Sequence, residues 1–195
     1  RKEKNMKLHL VSSFLLSCSC LLLGVNARYA VYQTSIVPIP GVDTQVSGSV
    51  VVFADTSDGT TVGYGGSITG LQAGLVAATC TATNGCGVHI HSGTGCEDTA
   101  AQGGHYFADP ITSDPWVEAR YSSSDAGVAE FGAFLKMGTV DLDGRAFVVH
   151  VEDGSRVGCG ILSKVAEESY LSADLVSLGD SSASGAVTAL PIEGT

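Results

Sequence analysis

The sequence predicts an all-β protein, a sandwich or Greek-key barrel of short antiparallel strands. Segments of alternating apolar and polar residues, rich in β-branched side chains, recur along the chain. Gly and Asp clusters separate them at hairpin spacing, and no long 3.6-residue period appears after residue 27. With 195 residues, 44% of them hydrophobic, the chain can bury the core of one domain with some terminal excess.

Residues 1–5 read as a leader outside the mature protein. Residues 6–27 read as a signal peptide: Met6-Lys7 supplies the basic start, 8–23 an apolar run, and Val25-Asn26-Ala27 a small-residue cleavage site. A membrane span needs about 20 strongly apolar residues, and this run falls short. No membrane span is therefore expected in the mature form, which is read as secreted. Strands are expected at 45–53, 60–71, 87–91, 117–121, 128–135 and 145–151, with a turn at 141–144. The domain is placed at 28–162. Residues 163–195 are Ser/Ala/Gly-rich and expected to be loosely ordered, with only 167–178 able to form a short helix or strand. SGAVTAL at 184–190 echoes SGSVVVF at 47–53, as though a second repeat were starting.

The segment 28–195 carries six Lys and Arg against nineteen acidic residues, a net −13. That balance excludes nucleic acid and anionic membrane surfaces as partners, since both need clustered cations. Four cysteines remain there: Cys80, Cys86, Cys96 and Cys159. An even number in an exported chain points to two disulfides, in any of three pairings.

Of five histidines, His9 falls in the stretch read as a signal peptide. In GVHIH (87–91), strand alternation sends His89 and His91 to one face and Val88 and Ile90 to the other. Two imidazoles about 7 Å apart can converge on one ion. In AFVVHV (146–151), Phe147, Val149 and Val151 face inward and His150 outward, while His105 sits in the loop GGHYF. Together they point to a metal site. A four-nitrogen tetragonal set favours copper(II), while zinc on three histidines with an open water position remains an alternative.

These segments resemble the copper/zinc superoxide dismutases over 46–162. GSITGL at 66–71 is similar to the family's GSIxGL, GVHIH at 87–91 to its G-x-H-x-H, and GHYF at 104–107 to its G-P-H-F-N-P. GRAFVVH at 144–150 is similar to GRxxVVH, and GSRVGCGIL at 154–162 to GSRxxCGVI. The resemblance implies an eight-stranded antiparallel Greek-key β-barrel of immunoglobulin-like kind. It implies copper on His89, His91, His105 and His150, a Cys96–Cys159 disulfide, and Arg156 guiding superoxide to the metal.

The departures are specific. No histidine lies between His105 and His150, where the two-metal enzymes carry zinc ligands. Asp125 matches the family's D-x-G zinc aspartate, but one carboxylate and one imidazole fall short of the four ligands of structural zinc. Only six positions separate His150 from Arg156, where the family inserts a long loop. Gly104 and Ala108-Asp109-Pro110 replace the family's proline and N-P. The two losses resemble the copper-only superoxide dismutases, which are exported. One copper ion is expected and zinc is not. Superoxide is the expected substrate, converted to oxygen and hydrogen peroxide by Cu(II)/Cu(I) cycling. His105 is expected to carry a proton, with Asp125 orienting it through a hydrogen bond or else pinning its own loop.

Cys80 and Cys86 have no counterpart in that family. Asn84-Gly85 between them predicts a hairpin closed by a local disulfide; a copper-loading thiol pair would need reduced cysteines. Trp116 reads as a packing residue. Two other readings compete: a non-catalytic copper-binding extracellular module of a repeat protein, motivated by the tail echo, and a zinc lyase or hydrolase. No oligomeric state follows from the sequence.

Overall fold

The computed structural model describes residues 26–175 and 185–189, with side chains over 29–165. The readings of residues 1–5 and of nearly all of 6–27 lie outside the described residues. The strands are β1 (Asn26–Pro38), β2 (Ser47–Asp55), β3 (Thr61–Thr69), β4 (Val88–His91), β5 (Ala129–Lys136), β6 (Ala146–His150), β7 (Arg156–Ile161), β8 (Ser163–Leu175) and β9 (Gly185–Ala189). One four-residue helix, α1 (Thr99–Gln102), is capped by the Asp98 carboxylate, which accepts from the Ala100 and Ala101 amides.

All-β is correct. The strands form one curled antiparallel sheet in the order β4-β6-β7-β1-β2-β3-β5, with β8 on β1 and β9 on β8. Alternation places the core: Ala30, Tyr32 and Ile36 of β1, Val50 and Val52 of β2, and Val62, Tyr64 and Ile68 of β3 are buried together. Val88, Ile90, Phe147 and Val149 join the same core, on the inward faces expected of β4 and β6. Ala146, Val148 and Cys159 form a second small cluster with Ile39 on the opposite face. Both faces of β4 and β6 are therefore covered, and every residue in them is buried.

Three expectations change. Residues 117–121 do not form a strand; they contribute a single bridge, Arg120 to Gly87. Pro115 lacks an amide proton, and the Ala119 amide closes a turn onto the Trp116 carbonyl, so the chain has only 119–121 left to lay beside β4. The tail is not loose from 163 onward: β8 runs to Leu175, paired along β1 from Gln33↔Ser163 to Asn26↔Leu171. Composition hid this strand, because the open edge of β1 supplies its hydrogen bonds whatever the side chains are. β1 itself was absent from the expected strands, and it begins at Asn26, inside the stretch read as a signal peptide.

Phe147 is fully buried, 6.3 Å from Phe131 and 6.2 Å from Tyr64 between ring centroids. Phe147→Ala is expected to cost about 3–5 kcal/mol of stability, read from the midpoint of urea unfolding.

Candidate metal centre

Four histidines from three parts of the chain meet on the outer face of the β4–β6 pair. His89 and His91 come from β4 and His150 from the end of β6, where a register shift between Val149 and His150 turns the strand. The His105 loop is laid against β4 by an isolated His91↔His105 bridge. One donor nitrogen each from His89, His91 and His150 lies within 4.8 Å of the others, so these three can hold a metal ion. His105 closes the group: its ring centroid is 4.2 Å from that of His89 and 5.2 Å from that of His91.

Each ring commits one nitrogen to the protein and leaves the other bare. His91 Nδ1 bonds the Gly103 carbonyl at 2.9 Å, His150 Nδ1 the Gly154 carbonyl at 2.8 Å, and His105 Nδ1 the Asp114 carboxylate at 2.6 Å. His89 is reversed, with a backbone hydrogen bond to Ala119. Its Cε1–Nε2 edge lies over Gly87, where a Cβ would come within 2.4 Å of Nε2. The remaining atoms, His89 Nδ1 and the Nε2 atoms of His91, His105 and His150, are buried without a hydrogen-bond partner. An unpaired buried polar atom costs roughly 1–3 kcal/mol. Four in one place, each on a ring whose other nitrogen is fixed by a carbonyl or carboxylate, is the arrangement of metal-binding imidazoles.

Burial keeps the His89, His91 and His150 rings neutral. It pulls the His91 pKa down to about 3, with the Gly103 carbonyl opposing and Arg156 assisting. It pulls His150 down to about 4 against the Gly154 carbonyl. His89 is lowered further still, by burial first and then by the other three imidazoles. Neutral imidazole is the state that donates a lone pair to a metal. The short connection after His150 does not leave the site broadly open: His89, His91 and His150 are at most 1% exposed. Access lies on the His105 side, whose side chain is 11% exposed.

Arg156 reaches the same centre. It donates through one terminal nitrogen to Gln102 Oε1 at 2.9 Å and the Thr99 carbonyl at 3.2 Å, and through the other to the Gly103 carbonyl at 2.9 Å. Gly103 therefore joins Arg156 to His91. The guanidinium lines an open cavity of about 470 Å³ with Ile39, Pro40 and the acidic Glu97 and Asp98. Cys96–Cys159 anchors the 96–103 segment to β7; Cys80–Cys86 forms as expected, but it closes a run of turns beside Gly87 (Gly85 amide to Ala82 carbonyl, Gly87 amide to Asn84 carbonyl) and not a hairpin of two strands.

The carboxylate on His105 is Asp114, not the expected Asp125. Asp125 sits in an exposed turn beside Gly74; that loop is pinned instead by Ser123 and Ser124, whose hydroxyls accept from the Leu75 and Val128 amides. Asp114 spans two jobs, taking the His105 ring on Oδ2 and the Trp116 amide on Oδ1. The Asp-Pro-Trp sequence, which favours such a side-chain turn, was the available signal for it. Arg145 was also missed: it stacks 4.5 Å over Tyr106 and donates to the Ser92 carbonyl, gripping the residues that follow His105 and His91. Trp116 is fully buried, as a packing residue should be.

No family model and no curated protein matches the sequence. Among solved structures, the crystal structure of the clock protein EA4 is similar at 16% identity and a TM-score of 0.47, over 70% of this chain and 96% of that one. A likeness of that size bears on neither family nor function. Among the described residues, no helix is long and apolar enough to cross a membrane.

His91 and His150 have folded-state pKa values below the unfolded value of about 6.5. The unfolded chain then binds more protons, so the stability they contribute is present above about pH 6.5 and lost as pH falls toward 4 and 3. Metal-free protein should lose at least about 2 kcal/mol across that window, read by denaturant titration at stepped pH. A His91→Gln/His150→Gln variant should flatten the slope.

Proposed function

We propose that the protein is an exported superoxide dismutase of the copper-only kind. The observation that carries this reading is the set of four buried, unpaired imidazole nitrogens on mutually adjacent rings. Copper would be held by His89 Nδ1 and by Nε2 of His91, His105 and His150. Bound there, it would supply one-electron chemistry through its Cu(II)/Cu(I) couple, by which one superoxide is oxidised to oxygen and a second, taking up two protons, is reduced to hydrogen peroxide. The fold belongs to the same reading, as an eight-stranded Greek-key barrel of immunoglobulin-like kind. The crossing from β3 to the far edge of the sheet at β4 supports it. Secretion is supported by two disulfides.

The chain's own groups divide the work. Arg156 holds a fixed positive charge in the cavity wall and draws a small anion inward, although the whole chain at net −10 repels it. His105 is the ring that meets solvent. Asp114 keeps its Nδ1 proton in place, so His105 would carry the exchanging proton at Nε2 only while that atom is off the metal.

A second reading draws on the tighter grouping of His89, His91 and His150: zinc on three histidines, with hydrolytic chemistry. The sole tryptophan separates the two, since Trp116 lies 6.0 Å from the His89 ring. Stoichiometric copper(II) should quench most of its emission, whereas diamagnetic zinc should not. Copper-loaded protein should then accelerate superoxide decay in a pulse-radiolysis assay. Copper binding without turnover would leave a non-catalytic copper module, and zinc binding alone would favour the hydrolytic reading. Arg156→Ala should still bind copper but lose about tenfold or more in kcat/KM, with Arg156→Lys retaining part of the rate; unchanged turnover would reject the guiding role.

A further inference from the structure

Among the four rings, His89 alone presents Nδ1 to the centre. Something must hold it in that reversed sense: the Ala119 carbonyl takes its hydrogen bond, and Gly87 packs against the same edge of the ring. The Gly87 carbonyl also accepts the His150 amide at 2.8 Å. One residue therefore fixes a side chain on β4 and the backbone of the last residue of β6. The position of Gly87 is set in turn by Cys86, which sits at φ 55, and by Asn84 at φ 63. This left-handed conformation is costly for residues other than glycine. Cys86 is bonded to Cys80, and Arg120 donates to the Cys80 carbonyl while its own backbone bridges Gly87. The Cys86 amide and carbonyl are also engaged, with the Val151 carbonyl and the Tyr121 amide, both at 2.9 Å.

We propose that the Cys80–Cys86 disulfide is a positioning element of the metal centre: it holds Cys86 in its left-handed conformation and so presses Gly87 against His89, selecting Nδ1 as the donor and setting the His89–His150 spacing. Its two sulfurs touch no metal. The crosslink spans six positions, so it removes less chain entropy from the unfolded state than Cys96–Cys159, which spans 63, and it acts directly on the residue that precedes Gly87. This inference rests on the metal reading above and not on turnover.

The test pairs a Cys80→Ala/Cys86→Ala variant with Cys80→Ala/Cys86→Gly. Both are purified as the full chain and checked for folding by circular dichroism. The readouts are copper(II) affinity by competition with a chelator and the nitrogen pattern of the copper(II) paramagnetic resonance spectrum. Cys80→Ala/Cys86→Ala is expected to fold, to bind copper at least about tenfold more weakly, and to show an altered nitrogen pattern. Cys80→Ala/Cys86→Gly, which adopts a positive φ without strain, should recover most of the affinity and the parent spectrum. An alanine variant with the parent's affinity and spectrum, changed only in melting temperature, would overturn the proposal. A loss that glycine fails to recover would overturn the backbone route. If the unaltered protein binds no copper, the metal reading fails and takes this inference with it; copper bound without dismutation leaves the inference standing.

Discussion

The structure depends on one constraint: four imidazoles are held beside one another with one nitrogen of each buried and unpartnered, and each has spent its other nitrogen on the protein. A ring free to turn would satisfy its second nitrogen elsewhere. These rings cannot turn, because Gly103, Gly154, Asp114 and the Ala119–Gly87 pair each hold one edge. Neutrality of His89, His91 and His150, enforced by burial, prevents the charge repulsion that would otherwise drive those rings apart. Four unpaired buried atoms are costly to the fold, a cost that the proposed ion would relieve.

The rest of the fold supplies the rigidity this requires. β4 contributes two rings by strand alternation, and β6 contributes a third beside them because the two strands are paired from Val88↔Val149 to His91↔Ala146. Loops contribute the remainder, and loops need staples. Cys96–Cys159 ties the segment carrying Gly103 to β7, so the carbonyl shared by His91 and Arg156 stays in place. Buried Gln102 reinforces the same segment, accepting from Arg156 and donating to the Cys96 carbonyl. On the proposed function, metal and anion guide are thus positioned by one backbone atom.

What could be read from the sequence was what local periodicity encodes. The H-x-H pair and His150 followed from a period of two, which fixes the face of a side chain without knowledge of its partners. His105 and Arg156 came from resemblance, and the structure brings both to the centre. Asp114 was not legible: it acts across a loop, through a turn whose shape depends on Pro115 and on Trp116 being buried. Asp125 was chosen by motif spacing, which fails where a loop has been remodelled. β8 was missed because its backbone pairing is dictated by β1, and 117–121 was overcalled because a run of suitable residues was mostly consumed by a turn.

On the proposed function, those four bare nitrogens share one copper ion. Anomalous diffraction at the copper edge from crystals of copper-loaded protein tests it directly. The account predicts a single peak per chain, at bonding distance from His89 Nδ1 and from Nε2 of His91, His105 and His150. No peak at that place, or one from which His105 or His150 stands away, would contradict it.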